Sequence, residues 1–168
     1  YRYALQNKHP LLLQSEIPDI YMAMKQNDNV EIYERNLEFL TKIYGVGEAD
    51  VKNYLEEYGL IYWDVNDWFD SISTYNLLIG TRIHGVISGL LSGLPSMLLV
   101  HDERTQELAK FFHLPFLDTR NWEKFDYDLL NRAISSLSLA AFYKNWGDYL
   151  SGFEAFFFEN NVSYDFGD

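Results

Sequence analysis

The stretch from residue 77 to residue 100 constrains the fold more than any other part of the sequence. It contains two short apolar runs, which are joined by a charged, glycine-containing turn and an apolar helical pattern. The runs, 77–79 and 96–100, have the composition of strands that are buried on both faces of a parallel sheet. The residues between them that follow helical spacing are Val86, Ile87, Leu90, Leu91 and Leu94. Because parallel strands need a crossover, which is usually a helix, the stretch predicts an α/β fold in which helices flank a parallel sheet.

Arg82 and His84 lie in the turn that joins the first run to the helix, together with Gly80, Thr81 and Gly85. Open α/β sheets bind ligands at the carboxyl ends of their strands, and the first turn of a helix offers free N–H groups and a positive dipole end. A cation added here favours an anionic ligand, so the turn is predicted to bind an anion. The same spacing is equally compatible with a surface ion pair of Arg82 and a helix cap by His84.

Gly85, Gly89 and Gly93 recur four residues apart along the predicted helix. A glycine inside a helix costs about 1 kcal/mol relative to alanine, so three glycines in register need a reason. We expect them to form a face without side chains, which lets a neighbouring element or a ligand approach the backbone.

Gln14, Ser15 and Glu16 follow the apolar run 11–13, which predicts another strand. The carboxyl-end rule makes Gln14 and Glu16 candidates for the rim of the binding site. A polar strand end that only faces water is the simpler alternative.

His101, Asp102 and Arg104 follow the second run and are further rim candidates. Asp102 also suits the N-cap of a helix predicted over 103–112. Arg104 would lie in the first turn of that helix, where a cation is unfavourable unless an acidic side chain or an anionic ligand is close. These residues could therefore either form a helix cap with an ion pair or line the rim of a ligand site.

Composition narrows the classes of function. The 168 residues are 48% hydrophobic and 17% aromatic, which predicts a folded chain and, at this length, a single domain. A net charge of -12 argues against nucleic acid or an anionic membrane surface as a partner, because both require a basic face. There is no cysteine, and His9 and His113 have no partner at metal-ligand spacing, so we expect no metal site. No apolar run reaches the ~18 residues of a membrane span.

The rest of the chain predicts further helices and short strands. Trp63 lies at the end of a strand predicted over 60–63, and Trp68 lies in a short helix predicted after it. The apolar spacing favours core packing of both over stacking on a ligand. Residues 114–117 predict a final extended segment. The predicted helices cover 18–27, 31–44 with Ile32, Leu37, Leu40 and Ile43 buried, 49–58, 127–139, and the very aromatic 140–160.

Three segments together resemble the C-terminal signature of the polysaccharide pyruvyl transferase family. They are Gly80-Thr81-Arg82-Ile83-His84-Gly85, then residues 88–95 with their Gly-Leu-Pro ending, and then residues 101–108. The Arg-x-His-Gly turn and the Gly-x-Pro strand entry are specific as a set and weak as separate pieces.

This resemblance implies a Rossmann-like domain that corresponds to the C-terminal half of a GT-B fold, in which two such halves enclose the active cleft. On that basis residues 1–168 are expected to form a single α/β domain, either the C-terminal domain or a fragment of a longer two-domain protein, and to be inactive alone. The aromatic segment 140–160 is expected to pack back on its own domain, with part of its aromatic face exposed where a GT-B helix would cross to the missing N-terminal domain. The chain as a whole is expected to pack against that domain or to form a homo-oligomer.

The resemblance further implies transfer of a pyruvyl group from phosphoenolpyruvate to sugar hydroxyls, forming a pyruvate ketal on a polysaccharide or its lipid-linked precursor. Arg82 and His84 match the family's Arg-x-His positions, which implies donor contacts, shared with Gly80, Thr81 and Gly85. His84 is the candidate catalytic residue, with anion binding as its first role and proton transfer as its second. Phosphoenolpyruvate is the expected donor, a glycan the acceptor, and no cofactor is expected. The expected location is the cytoplasm, at the inner face of the membrane for a lipid-linked acceptor.

Two other functions are compatible with the same residues. A GT-B glycosyltransferase would use a similar turn to bind a nucleotide-sugar donor. A non-catalytic module of the same fold would use the aromatic segment as a partner interface. Binding of phosphoenolpyruvate or of a nucleotide sugar to the full-length protein discriminates between the two enzymes.

Overall fold

The computed structural model describes residues 1–14, 17–24 and 30–163. The chain separates into two compact units, Tyr1–Trp68 and Phe69–Asp168. Each unit contains short parallel strands flanked by helices, which confirms the predicted α/β fold of Rossmann-like character. The comparison with half of a GT-B fold, and the assignment of the whole chain to one domain of a longer protein, stay predictions.

The first unit packs helices around a two-stranded parallel sheet. Its elements are α1 (Arg2–Gln6), β1 (Leu11–Leu12), α2 (Ile17–Ala23), α3 (Val30–Tyr44), α4 (Glu48–Tyr58), β2 (Gly59–Leu60) and the start of α5 (Val65–Ile72). In the sheet, Leu11 lies opposite Gly59 and Leu12 opposite Leu60. The helix α1 was not expected, because its five residues are too few to show an apolar period.

A polar pair lies inside the core of this unit. The Tyr44 hydroxyl donates to Asp19 Oδ1 at 3.0 Å, and neither residue is more than 2% exposed. Burial and the neighbouring carboxylate raise the pKa of Tyr44, so its hydroxyl stays protonated and remains a donor. The buried apolar residues of the same core are Leu13, Met22, Leu37, Leu40, Val51, Tyr54 and Leu55.

Three residues of this unit that were predicted to be buried are exposed. Trp63 is 80% exposed, because β2 ends at Leu60 and the tryptophan lies in the loop beyond it. Ile32 and Ile43 are also exposed, since α3 turns a different face to the core. The buried side chains of that face are Leu37, Leu40 and Tyr44. Trp68, on α5, is half-buried.

The second unit holds the central stretch of the sequence. Its elements are β3 (Leu78–Gly80), α6 (Ile83–Leu91), β4 (Ser96–Val100), α7 (Glu103–Phe111), β5 (Phe116–Asp118), α8 (Tyr127–Ser135) and α9 (Ala140–Glu159). The strands form a parallel sheet in the order β3-β4-β5, with Gly80 opposite Leu98 and Val100 opposite Asp118. The central strand β4 is almost entirely buried, whereas β3, at the edge of this sheet, is only half-buried. The predicted strand, helix and strand between residues 77 and 100 are therefore confirmed, and burial on both faces holds for β4.

The glycines that were predicted to share one helix face do not have the same role. A side chain at Gly89 would collide with Ser96 on β4, so this glycine allows close packing, as predicted. Gly93 instead has a φ of +75° and open space around it. The Gly93 N–H donates to Leu90 O at 3.0 Å and the Leu94 N–H to Gly89 O at 2.8 Å, the two bonds of a Schellman C-cap. Gly93 therefore ends the helix, and its assignment to a packing face is wrong.

The long helix α9 is only partly covered by its own unit. Phe142 is 1% exposed and packs with the core of the sheet, and the Tyr143 hydroxyl donates to Leu90 O at 2.7 Å. Farther along the helix, Phe153, Phe156 and Phe158 are exposed. The helix is confirmed, and its partner stays a prediction. None of the helices within the described ranges has both the length and the hydrophobicity that a membrane crossing requires.

Candidate functional site

The turn after β3 places exposed polar side chains at the start of α6. Thr81, Arg82 and His84 are exposed, and Gly85 is buried in the first turn of the helix. Arg82 occupies the N-cap position with extended backbone angles, φ -97° and ψ 119°. His84 lies inside the first turn, and in the described chain no side chain caps the helix, so the alternative role of His84 as a cap is not found.

This turn has the electrostatic character of an anion site. The first amides of a helix have no intrahelical acceptor, and the first turn of α6 contains no acidic residue. The dipole of the helix and the Arg82 guanidinium both favour negative charge at this point. The geometry therefore suits a phosphate or a carboxylate, and the donor-binding roles of Gly80, Thr81, Arg82, His84 and Gly85 stay predictions.

The carboxyl end of β4 is organised by Asp102. Its Oδ1 accepts from the Thr105 N–H at 2.6 Å and from the Thr105 hydroxyl at 2.7 Å, and the Asp102 N–H donates to Thr105 Oγ1 at 3.3 Å. These bonds form a capping box on α7, which confirms the predicted N-cap. Because Thr105 stabilises the carboxylate, the pKa of Asp102 is lowered. His101 Nε2 lies 3.6 Å from Asp102 Oδ2.

Arg104 is exposed in the first turn of α7. The positive charge of Arg104 contributes to the lowered pKa of Asp102, so an acidic neighbour offsets the unfavourable position of this cation. A structural role is thus present for Asp102, and the roles of Asp102 and Arg104 at a ligand rim stay predictions.

Three consecutive polar residues at the carboxyl end of β5 were missed by the sequence analysis. Arg120 Nε donates to Asp118 Oδ1 at 2.9 Å and Arg120 Nη2 to Asp118 Oδ2 at 2.6 Å, a bidentate ion pair. Gln106 Nε2, from α7, donates to Asp118 Oδ2 at 3.2 Å. The Thr119 hydroxyl donates to Val100 O at 2.8 Å. The carboxyl-end rule would have found these residues, because the predicted extended segment ends at Leu117, directly before Asp118.

Asp118 and Arg120 are both charged at neutral pH. Hydrogen bonds from the Arg120 side chain and backbone, followed by the charges of Arg120 and Lys110, lower the pKa of Asp118 to about 2. The same pairing, together with the charges of Glu103 and Asp102, raises the pKa of Arg120.

The sheet brings three of these turns to one edge. Because β3, β4 and β5 are parallel and adjacent, the turns that carry Arg82, Asp102 and Arg120 leave the sheet on the same side. Gln14 lies in the first unit, two residues after β1, and is half-buried. Glu16 lies outside the described residues. Within the described ranges no group of three His, Cys, Asp or Glu residues could hold a metal ion.

Comparison with known proteins identifies the family. The family model described as polysaccharide pyruvyl transferase matches residues 3–103, which is more than half of the chain. The match includes the turns that carry Arg82 and Asp102, and it ends before β5. No curated protein and no solved structure matches the chain. The chain therefore belongs to the polysaccharide pyruvyl transferase family.

Proposed function

We propose that the protein transfers a pyruvyl group from phosphoenolpyruvate to two hydroxyls of a sugar, forming a cyclic ketal on a polysaccharide or its lipid-linked precursor. Membership of the family supports a transferase of polysaccharide biosynthesis. The observation that carries the donor assignment is the turn after β3, where Arg82 and His84 are exposed beside an α6 first turn without acidic residues. The proposed location is the cytoplasm, at the inner face of the membrane if the acceptor is lipid-linked.

The donor carries a phosphate and a carboxylate, and the turn offers two kinds of group for them. The planar guanidinium of Arg82 can bind either anion with two parallel N–H···O bonds, which a lysine cannot do with the same geometry. The amides of the first turn of α6 can donate to the oxygens of the other anion. The imidazole of His84 lies in the same turn and can donate to the phosphate or supply a proton.

The reaction needs one proton at carbon and the release of two protons from hydroxyls. A proton adds to the methylene carbon of the enol, and a sugar hydroxyl attacks the adjacent carbon as positive charge develops there. Phosphate then leaves, a second hydroxyl of the same sugar attacks the same carbon, and the product is the ketal plus inorganic phosphate. In this proposal Arg82 stabilises the anionic groups of the donor, and His84 is the candidate source of the first proton.

Calorimetric titration of the full-length protein with phosphoenolpyruvate tests this proposal. We expect saturable binding that disappears in Arg82→Ala, with a melting temperature within a few degrees of the parent, because Arg82 is exposed. Arg132→Ala, which removes an exposed arginine from α8, is the matched control and should leave binding unchanged. Binding of a nucleotide sugar instead of phosphoenolpyruvate would contradict the proposal and favour a glycosyltransferase.

A further inference from the structure

The Arg120 guanidinium is held in place before any ligand arrives. Two of its nitrogens donate to the two oxygens of Asp118, and Gln106 donates to the same carboxylate from α7. The Arg120 N–H of the backbone also donates to Asp118 Oδ1 at 3.1 Å. A long side chain that is fixed in this way has already lost rotamer freedom, so a ligand that uses it loses less entropy on binding.

The Arg120 guanidinium has N–H donors that are not used in the pair with Asp118. Arginine has five N–H donors, and the Asp118 pair occupies the Nε donor and one donor of Nη2. Within the described ranges, no other side chain or carbonyl accepts from Arg120. The Arg120 side chain is 29% exposed, so part of it faces solvent, whereas the four lone-pair sites of the Asp118 carboxylate are already used by Arg120 and Gln106.

The charges around the pair do not attract an anion. Arg120 and Asp118 neutralise each other, and the other charges that act on them are those of Asp102 and Glu103, both negative, and Lys110, which is positive. The positive charge of Arg104 acts on Asp102 in turn, so these charges cancel. A neutral ligand that accepts hydrogen bonds suits this surface, because a hydroxyl oxygen can accept from the remaining Arg120 donors without a charge of its own.

The Asp118–Arg120 pair and the turn after β3 lie at the same edge of one parallel sheet. The pair lies at the carboxyl end of β5, two strands away from β3 in the same parallel sheet. Adjacent strands are about 4.8 Å apart, which separates the ends of β3 and β5 by roughly 10 Å. This separation leaves room for a sugar ring beside a donor bound at Arg82 and His84.

We propose that Arg120 binds hydroxyls of the glycan acceptor, and that Asp118 and Gln106 position its guanidinium for this contact. The inference rests on the proposed pyruvyl transfer, for which it names an acceptor subsite in the same sheet. Arg120 lies outside the residues that the family model matches, so the subsite belongs to a part of the chain that family membership does not describe.

Saturation-transfer NMR on the full-length protein tests the subsite, with phosphoenolpyruvate present and with methyl glucoside, methyl galactoside and methyl mannoside as probes. We expect at least one glycoside to bind the parent, and Arg120→Met to weaken this binding about tenfold or more, since hydrogen bonds to a charged group are lost. Asp118→Asn should weaken it less, because Arg120 remains but is no longer held. Lys42→Met removes an exposed ion pair with Glu38, at 2.7 Å, and should have no effect.

A separate titration with phosphoenolpyruvate distinguishes this inference from the proposed function. We expect Arg120→Met to keep donor affinity within about twofold of the parent. Glycoside binding that is absent in the parent or unchanged in Arg120→Met, or a loss of donor affinity in place of sugar affinity, would overturn the acceptor subsite. Failure of the parent to bind phosphoenolpyruvate, with glycoside binding that depends on Arg120, would instead overturn the proposed pyruvyl transfer.

Discussion

Gly89 on α6 lies against Ser96 on β4 so closely that a Cβ atom added to the glycine would overlap the serine hydroxyl. Ser96 is fully buried, and its hydroxyl donates to Leu94 O at 2.9 Å, so the serine side chain has little freedom to move aside. The helix that begins at the candidate donor turn is therefore fixed to the central strand through a position that tolerates no side chain.

We predict that Gly89→Ala destabilises the protein by about 1–3 kcal/mol, because the added methyl group overpacks this contact. Gly147→Ala is the matched control: Gly147 is also a helical glycine, but a Cβ added there meets nothing within 4 Å. That substitution should stabilise by ~0.5–1 kcal/mol, since alanine is the better helix former. Thermal unfolding of both variants measures the difference, and equal shifts would contradict the packing account.

The Asp118–Arg120 pair predicts a specific acid response. The pKa of Asp118 falls from 3.8 to about 2 on folding, so its contribution to stability is complete above its unfolded pKa and is lost as the pH falls from about 4 towards 2. Asp118→Asn should lower the melting temperature at pH 7 and at pH 5, and the difference from the parent should shrink at pH 3. Asp148→Asn, which changes an exposed aspartate in the interior of α9, is the control. A difference that grows on acidification would show that the pair does not act in this way.

His84→Gln separates anion binding from proton transfer. Glutamine can donate a hydrogen bond but cannot exchange a proton at neutral pH, so we expect the affinity for phosphoenolpyruvate to change less than tenfold while turnover falls about 10²–10⁴-fold. Calorimetry and phosphate release on the full-length protein measure the two quantities. The exposed His9, replaced in the same way, serves as the control. Retained turnover with a large loss of affinity would make His84 a binding residue only.

Phe142 is buried and Trp63 is exposed, so substitutions at these two residues test which aromatic side chains belong to the core. Phe142→Ala should destabilise by about 3–5 kcal/mol, because the ring is fully buried against the sheet. Trp63→Ala should change stability by no more than ~0.5 kcal/mol, because the side chain is largely in water. Chemical denaturation gives both values. A loss in Trp63→Ala comparable to that in Phe142→Ala would restore the sequence-based prediction that this tryptophan is a core residue.

Local signals in the sequence were enough to predict the central elements of the site. The apolar runs, the turn 80–85 and the helical spacing after it are properties of neighbouring residues. The strands β3 and β4 lie within one residue of the predicted bounds, whereas α6 ends at Leu91, three residues before the last residue of its predicted stripe. The N-cap of Asp102 is equally local, because its bonds reach only to Thr105, three residues on. The resemblance to the family could be found for the same reason, since the Arg-x-His turn is contiguous.

The tertiary structure decided what depends on contacts between distant residues. Whether Trp63 is buried depends on where β2 stops pairing with β1, and that pairing joins residues 11–12 to residues 59–60. The network of Gln106, Asp118 and Arg120 joins α7 to the end of β5. Spacing along the chain carries no information about which side chains meet across a sheet edge, because that is set by strand order and register. The sequence by itself therefore determined the central elements and predicted an anion-binding turn, and only the packed sheet brought a second polar cluster to the same edge.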